Sequence, residues 1–109
     1  MPITNKHKNA VLTNVLTTPL LTAGATETIR ITHIAATCTA VNSGTLTLRT
    51  IDASATNLST NLLNAVPFTA GKPIEFFDAF LEPSDVLQGG FAGTPTDPHI
   101  VIFYQVETP

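Results

Sequence analysis

Two short alternations, out of step by one residue, constrain this chain more than any other feature. Glu27-Thr28-Ile29-Arg30-Ile31-Thr32 places Ile29 and Ile31 on one face of an extended strand and Thr28, Arg30 and Thr32 on the other. After His33 the apolar set moves to even positions: Ile34, Ala36, Cys38 and Ala40. A one-residue slip exchanges the faces of a strand, so the run reads as a strand with a bulge or one that switches sheets. Thr45-Leu46-Thr47-Leu48-Arg49-Thr50-Ile51 alternates again, and Val41-Asn42-Ser43-Gly44 before it reads as the turn of a hairpin. Residues 99–106 close the chain with Ile100, Ile102, Tyr104 and Val106 on one face.

Turn chemistry separates further short strands. Thr22-Ala23-Gly24-Ala25-Thr26 and Glu82-Pro83-Ser84-Asp85 read as turns, as does residues 67–73 between two prolines. Pro19 stops the short run at 11–16. Residues 52–57 and 93–98 read as loops, and 58–66 lacks a clean face because Asn61 and Asn64 interrupt it. Residues 74–81 have phenylalanines at a helical spacing. Pro73 and Pro83 leave less than the roughly 12 residues an independent helix wants, so the segment reads as a buried strand with a bulge. Val86-Leu87-Gln88-Gly89-Gly90-Phe91 is a strand weakened by glycine. The expected fold is all-β: a single antiparallel β-sandwich, jelly-roll or Ig-like, of about seven or eight short strands. Residues 1–9, polar and without periodicity, read as an N-terminal arm, either a loose terminus or a clasp through which the chain binds its neighbours and its particle, and 10–109 as the sandwich domain.

Composition removes whole classes of function. Of 109 residues 43% are hydrophobic and only 12% charged, against roughly 25% charged in an average soluble domain. Nineteen threonines make the polar surface one of hydroxyls more than of ions. High apolar content with a net charge of −3 excludes disorder, and five Lys and Arg cannot cover many phosphates, so no nucleic-acid partner is expected. No apolar run approaches the roughly 20 residues of a membrane helix, and no membrane partner is expected. One cysteine forms no internal disulfide. The first residues hold Lys6 and Lys8 but lead into no apolar stretch of the kind a signal peptide needs, so synthesis in a cytosol without export is expected.

No constellation for chemistry emerges. His7, His33 and His99 lack any short metal-ligand spacing, and Cys38 sits in an apolar alternation that reads as core. Glu75, Asp78, Glu82 and Asp85 lack the spacing and central glycine of a calcium loop and read as solvated rim charges. Gly89-Gly90 is not followed by the Gly-Lys-Ser/Thr of a phosphate loop. Asn57-Leu58-Ser59 matches a glycosylation sequon, as one or two triplets should by chance among seven asparagines and 23 Ser and Thr. No catalytic, cofactor-binding or metal-binding residue is expected, and the chain is not expected to be an enzyme. A carbohydrate- or surface-binding module is a further alternative. The absence of Trp, a single Tyr104 on an apolar face and six phenylalanines that read as mostly buried weigh against it.

The order of segments resembles a small β-sandwich domain of tailed-bacteriophage virion proteins. The resemblance runs through Leu21-Thr22-Ala23-Gly24, Ile31-Thr32-His33-Ile34 and Thr45-Leu46-Thr47-Leu48. It continues in Asn64-Ala65-Val66-Pro67-Phe68-Thr69-Ala70-Gly71 and Leu81-Glu82-Pro83-Ser84-Asp85-Val86-Leu87, covering about residues 10–106. The loop at 93–98 and the pair Phe76-Phe77 depart from the pattern. The resemblance implies capsid decoration, or a tail, neck or fibre accessory role, with no catalytic residues. The expected partners are other copies of the chain, a trimer favoured, and virion proteins such as the major capsid protein. The expected location is the virion, after assembly in the host cytoplasm. Low charge fits this role, because strand edges covered by partners need no blocking charges.

Overall fold

The computed structural model describes residues 3–52, 58–69 and 71–108, and these contain nine strands and no helix. The strands are β1 (Ile3–Val11), β2 (Pro19–Thr22), β3 (Thr28–Thr37), β4 (Ala40–Asp52), β5 (Leu58–Pro67), β6 (Ile74–Phe76), β7 (Ala79–Leu81), β8 (Val86–Thr96) and β9 (His99–Glu107). They form a five-stranded sheet in the order β1-β9-β3-β6, with β7 also on β3, and a four-stranded sheet in the order β2-β8-β4-β5. The pairs β1 with β9, β2 with β8, β3 with β6 and β7, and β4 with β5 nest inside one another, all antiparallel. That nesting selects the jelly roll from the two expected sandwich types.

The core lies between the sheets, and the alternations predicted its contents. Ile29, Ile31, Leu46, Leu48, Ile100 and Ile102 are all at most 2% exposed, and Cys38 is buried among them. The phase slip in β3 is a bulge. Ile31 pairs with Tyr104 and His33 with Phe103, leaving Thr32 as the extra residue that turns Ile34 and Ala36 back to the core. Residues 74–81 form two three-residue strands on β3, broken at Phe77-Asp78, where Asp78 takes a φ of 57°.

Three expectations need correction. Residues 3–9 are not a separate arm, because they pair with β9 along the whole of β1. Their alternation is missing because the four-stranded sheet does not cover this edge, so Thr4, Lys6 and Lys8 stay exposed on the inner side. The turn at 41–44 is absent. β4 runs through it, joins the opposite sheet and pairs with β8 and β5 instead of making a hairpin with β3. The irregular register between Val41 and Gly44 absorbs the Asn-Ser-Gly signal there. The loop at 93–98 is mostly strand, since β8 extends to Thr96 and the reversal is confined to Asp97-Pro98. The glycines of β8 meet a close backbone approach. A Cβ on Gly90 would sit 2.5 Å from the Val15 carbonyl oxygen and 2.7 Å from that of Thr13. The Thr13–Thr18 crossing completes the edge of β8, with Gly89 N donating to Thr18 O at 3.0 Å and Phe91 N to Thr13 O at 2.9 Å. Residues 53–57 of the expected loop, including Asn57 of the sequon, lie outside the described residues.

Candidate interaction surfaces

The apolar surface of the molecule is asymmetric. Among the described residues the exposed large hydrophobic side chains are Ile3, Val11, Val15, Phe77, Phe80 and Phe103, at 42–76% exposure. All but Val15 belong to the five-stranded sheet and its β6–β7 kink, on the face turned away from the core. Odd-numbered residues of β1 and β9 share that face, because Ile100, Ile102 and Val106 point inward. The expectation that the phenylalanines are mostly buried is therefore wrong. Phe68 is buried and Phe76 and Phe91 half-buried, but Phe77, Phe80 and Phe103 present their rings outward. The alternation of 74–81 could not reveal this, because the kink at Asp78 resets which side chains face out.

Four rings cross the middle of this face in register. His7 lies 6.1 Å from Phe103, Phe103 lies 5.9 Å from His33, and His33 stacks on Phe77 at 4.7 Å with planes 7° apart. Glu75 holds the outer end of the row, its Oε1 3.2 Å from His33 Nε2. Phe77 thus has a fixed position even though it is 61% exposed.

Two cross-strand rows nearer the end of the same sheet enclose a groove of about 260 Å³ lined by Ile3, Thr28, Arg30, Phe80, Gln105 and Glu107. One row sets Ile3 beside Glu107 and Glu107 beside Thr28; the next sets Gln105 beside Arg30 and Arg30 beside Phe80. Apolar walls from Ile3 and Phe80 flank a polar floor. Asp78 Oδ1 accepts a hydrogen bond from Arg30 Nη2 at 3.2 Å, and Arg30 is the cross-strand partner of Phe80.

The sheet edges differ as sharply as the faces. β1 presents Lys6 and Lys8 on its inward side, and Lys8 Nζ donates to Leu20 O at 2.6 Å, tying the edge to the opposite sheet. Inward lysines are a common device for blocking edge-to-edge pairing. The β6–β7 edge is short and broken at its kink. β5, the outer strand of the four-stranded sheet, runs ten residues without a single charged residue. Its partner β4 contributes Arg49, whose buried Nε has no hydrogen-bond partner among the described residues.

The residues weighed for chemistry are dispersed. His7 and His33 flank Phe103, while His99 is at the β8–β9 turn with Nδ1 2.9 Å from Asp97 O. Cys38 is buried. Glu75 and Asp78 pair with His33 and Arg30 at the surface, as rim charges. Asp85 does not fit that description. It is 7% exposed, and its Oδ2 accepts from Glu82 N at 3.1 Å, closing the turn that Ser84 makes with a φ of 69°. Among the described residues no three His, Cys, Asp or Glu side chains gather as a metal site would require.

No protein-family model matches the sequence, and no curated protein matches it. Among solved structures the chain is similar to the VP2 subviral particle of infectious bursal disease virus, with a TM-score of 0.55 and 9% identity over 98% of this chain and 32% of that one. It thus spans about a third of the length of the viral chain it matches. A second similar structure is the CBM22-1 and GH10 modules of the Clostridium thermocellum xylanase 10B, complexed with xylohexaose, with a TM-score of 0.41 and 13% identity over 80% of this chain and 17% of that one. The likeness to the viral particle protein establishes a shared β-sandwich fold, and the tailed-bacteriophage resemblance finds no counterpart in these comparisons.

Proposed function

We propose that this chain is a non-enzymatic virion structural protein, a capsid decoration protein that assembles in the host cytoplasm with copies of itself and with the major capsid protein. The observation that carries the reading is the outer edge of β5. The stretch from Leu58 to Asn61, in regular register with β4 and without charged residues, offers main-chain groups to a neighbour, while the opposite sheet's β1 edge is guarded by lysines. A free monomer gains nothing from leaving one edge open and blocking the other. A subunit that joins neighbours by strand pairing needs that difference. The β-sandwich fold shared with a viral particle protein and the low charge of the chain agree with this role.

Cosedimentation with expanded capsids of the parent particle tests the proposal. The chain should saturate at a fixed ratio to the major capsid protein, and Asn61→Lys on β5 should abolish binding. Absence of binding, or binding that survives Asn61→Lys unchanged, overturns the reading. A tail or fibre accessory protein would use the same edge but would need another tail protein to bind. A second reading, a carbohydrate- or surface-binding module, is favoured by the outward rings of Phe77, Phe80 and Phe103.

A further inference from the structure

The geometry points to a binding site for a neutral pyranose sugar in the groove between Ile3 and Phe80. The inference deepens the second reading above and is independent of the assembly role, which concerns the opposite sheet. A pyranose ring is amphipathic: one face presents C–H bonds, and the rim presents hydroxyls that both donate and accept hydrogen bonds. The groove repeats that division. The Phe80 ring, 62% exposed, offers an apolar platform, and Ile3, 59% exposed, offers an apolar wall opposite it. Three strand spacings separate their strands, roughly 14 Å, which leaves room for a ring to lie on Phe80 and reach the floor.

The floor supplies complementary hydrogen-bonding groups. Arg30 donates only, Glu107 when ionised accepts only, and Gln105 and Thr28 do both. A donor-only group in one row and an acceptor-only group in the next offer both kinds of partner to the hydroxyls of a sugar rim, each of which can accept and donate. Thr28, Gln105 and Glu107 are half-buried on the strands of a rigid sheet, and Asp78 holds Arg30. Little conformational freedom remains to be lost on binding. The facing charges argue for a neutral sugar: Glu107 repels a uronate or sialate carboxylate, and Asp78 already engages Arg30. A hydrocarbon ligand would leave the floor without partners.

Titration of the ¹⁵N-labelled full chain, followed by NMR, tests the site. The probes are methyl β-galactoside, methyl β-glucoside, methyl α-mannoside and N-acetylglucosamine, with glucuronate as the charged comparison. At least one neutral probe should give saturable shifts centred on residues 28, 30, 80, 105 and 107, with a dissociation constant of about 1–10 mM as expected for so small a ligand. Phe80→Ala should weaken that binding by about tenfold or more, and Gln105→Ala should weaken it in the same direction. Val11→Ala, at the opposite end of the sheet, should change it by less than about twofold. Glucuronate should bind more weakly than glucoside. Absence of saturable shifts with all four neutral probes up to about 50 mM overturns the proposal, as does binding that Phe80→Ala leaves intact. Either result leaves the β5 assembly reading standing, because that reading is tested by Asn61→Lys.

Discussion

His33 stacks on Phe77 with ring centroids 4.7 Å apart, across the kink that separates β6 from β7. The kink would otherwise leave Phe77 loose at the surface; the imidazole fixes it in a row with Phe103 and His7. Because Phe77 is 61% exposed, truncating it removes a stacked pair and little core. Phe77→Ala should therefore cost about 0.5–1.5 kcal/mol in urea unfolding. Leu48→Ala, at a position with no exposure, should cost about 2–5 kcal/mol. A Leu48 loss below about 0.5 kcal/mol would mean that the faces of β4 are inverted.

Gly90→Ala should destabilise the fold by about 1–3 kcal/mol, because the added methyl meets the backbone carbonyls of Val15 and Thr13, which cannot swing away as a side-chain end could. Gly71→Ala meets no atom within 4 Å, but its φ of 74° imposes backbone strain instead. A neutral Gly90→Ala measured by thermal unfolding would show that the residues 13–18 do not cross β8 as described.

The Cys38 thiol should react with a disulfide reagent only as fast as the protein unfolds, since the side chain is 2% exposed within the core. Rapid labelling of the folded chain would remove Cys38 from the core.

How much of this was legible in the sequence depended on whether the signal was local. The slip between Ile31 and Ile34 pointed to a bulge or a change of sheet, because alternation reports facing directly; the structure has the bulge, at Thr32. The same alternation says nothing about which strands pair. The Asn42-Ser43-Gly44 turn signal lost to the pairing of β4 with β8, a tertiary contact between segments about fifty residues apart. β1 escaped notice because an edge strand left uncovered on its inner side needs no apolar face. The groove was invisible for a related reason: Ile3, Arg30, Phe80 and Gln105 come from four strands that only the jelly-roll order makes neighbours. The pair Phe76-Phe77, which cannot both face inward in a regular strand, was a clue to an outward ring but not to the groove, which neither of them lines.

Deleting residues 1–9 should lower the melting temperature by several degrees, about 4–8 °C for each kcal/mol lost in a domain of this size. The truncation removes the strand pairing of β1 from Ile3 to Asn9 and exposes β9 as a new edge without the lysine guard. An unchanged melting temperature would return the segment to the status of a loose arm.

The central claim, that the open β5 edge joins subunits, is tested most directly by the solution mass of the purified chain measured by light scattering, beside Ser59→Lys and Asn61→Lys. The native chain should be a closed oligomer, a trimer or larger ring, and both lysine variants a folded monomer. A native chain that stays monomeric, or an oligomer that both variants leave intact, contradicts it.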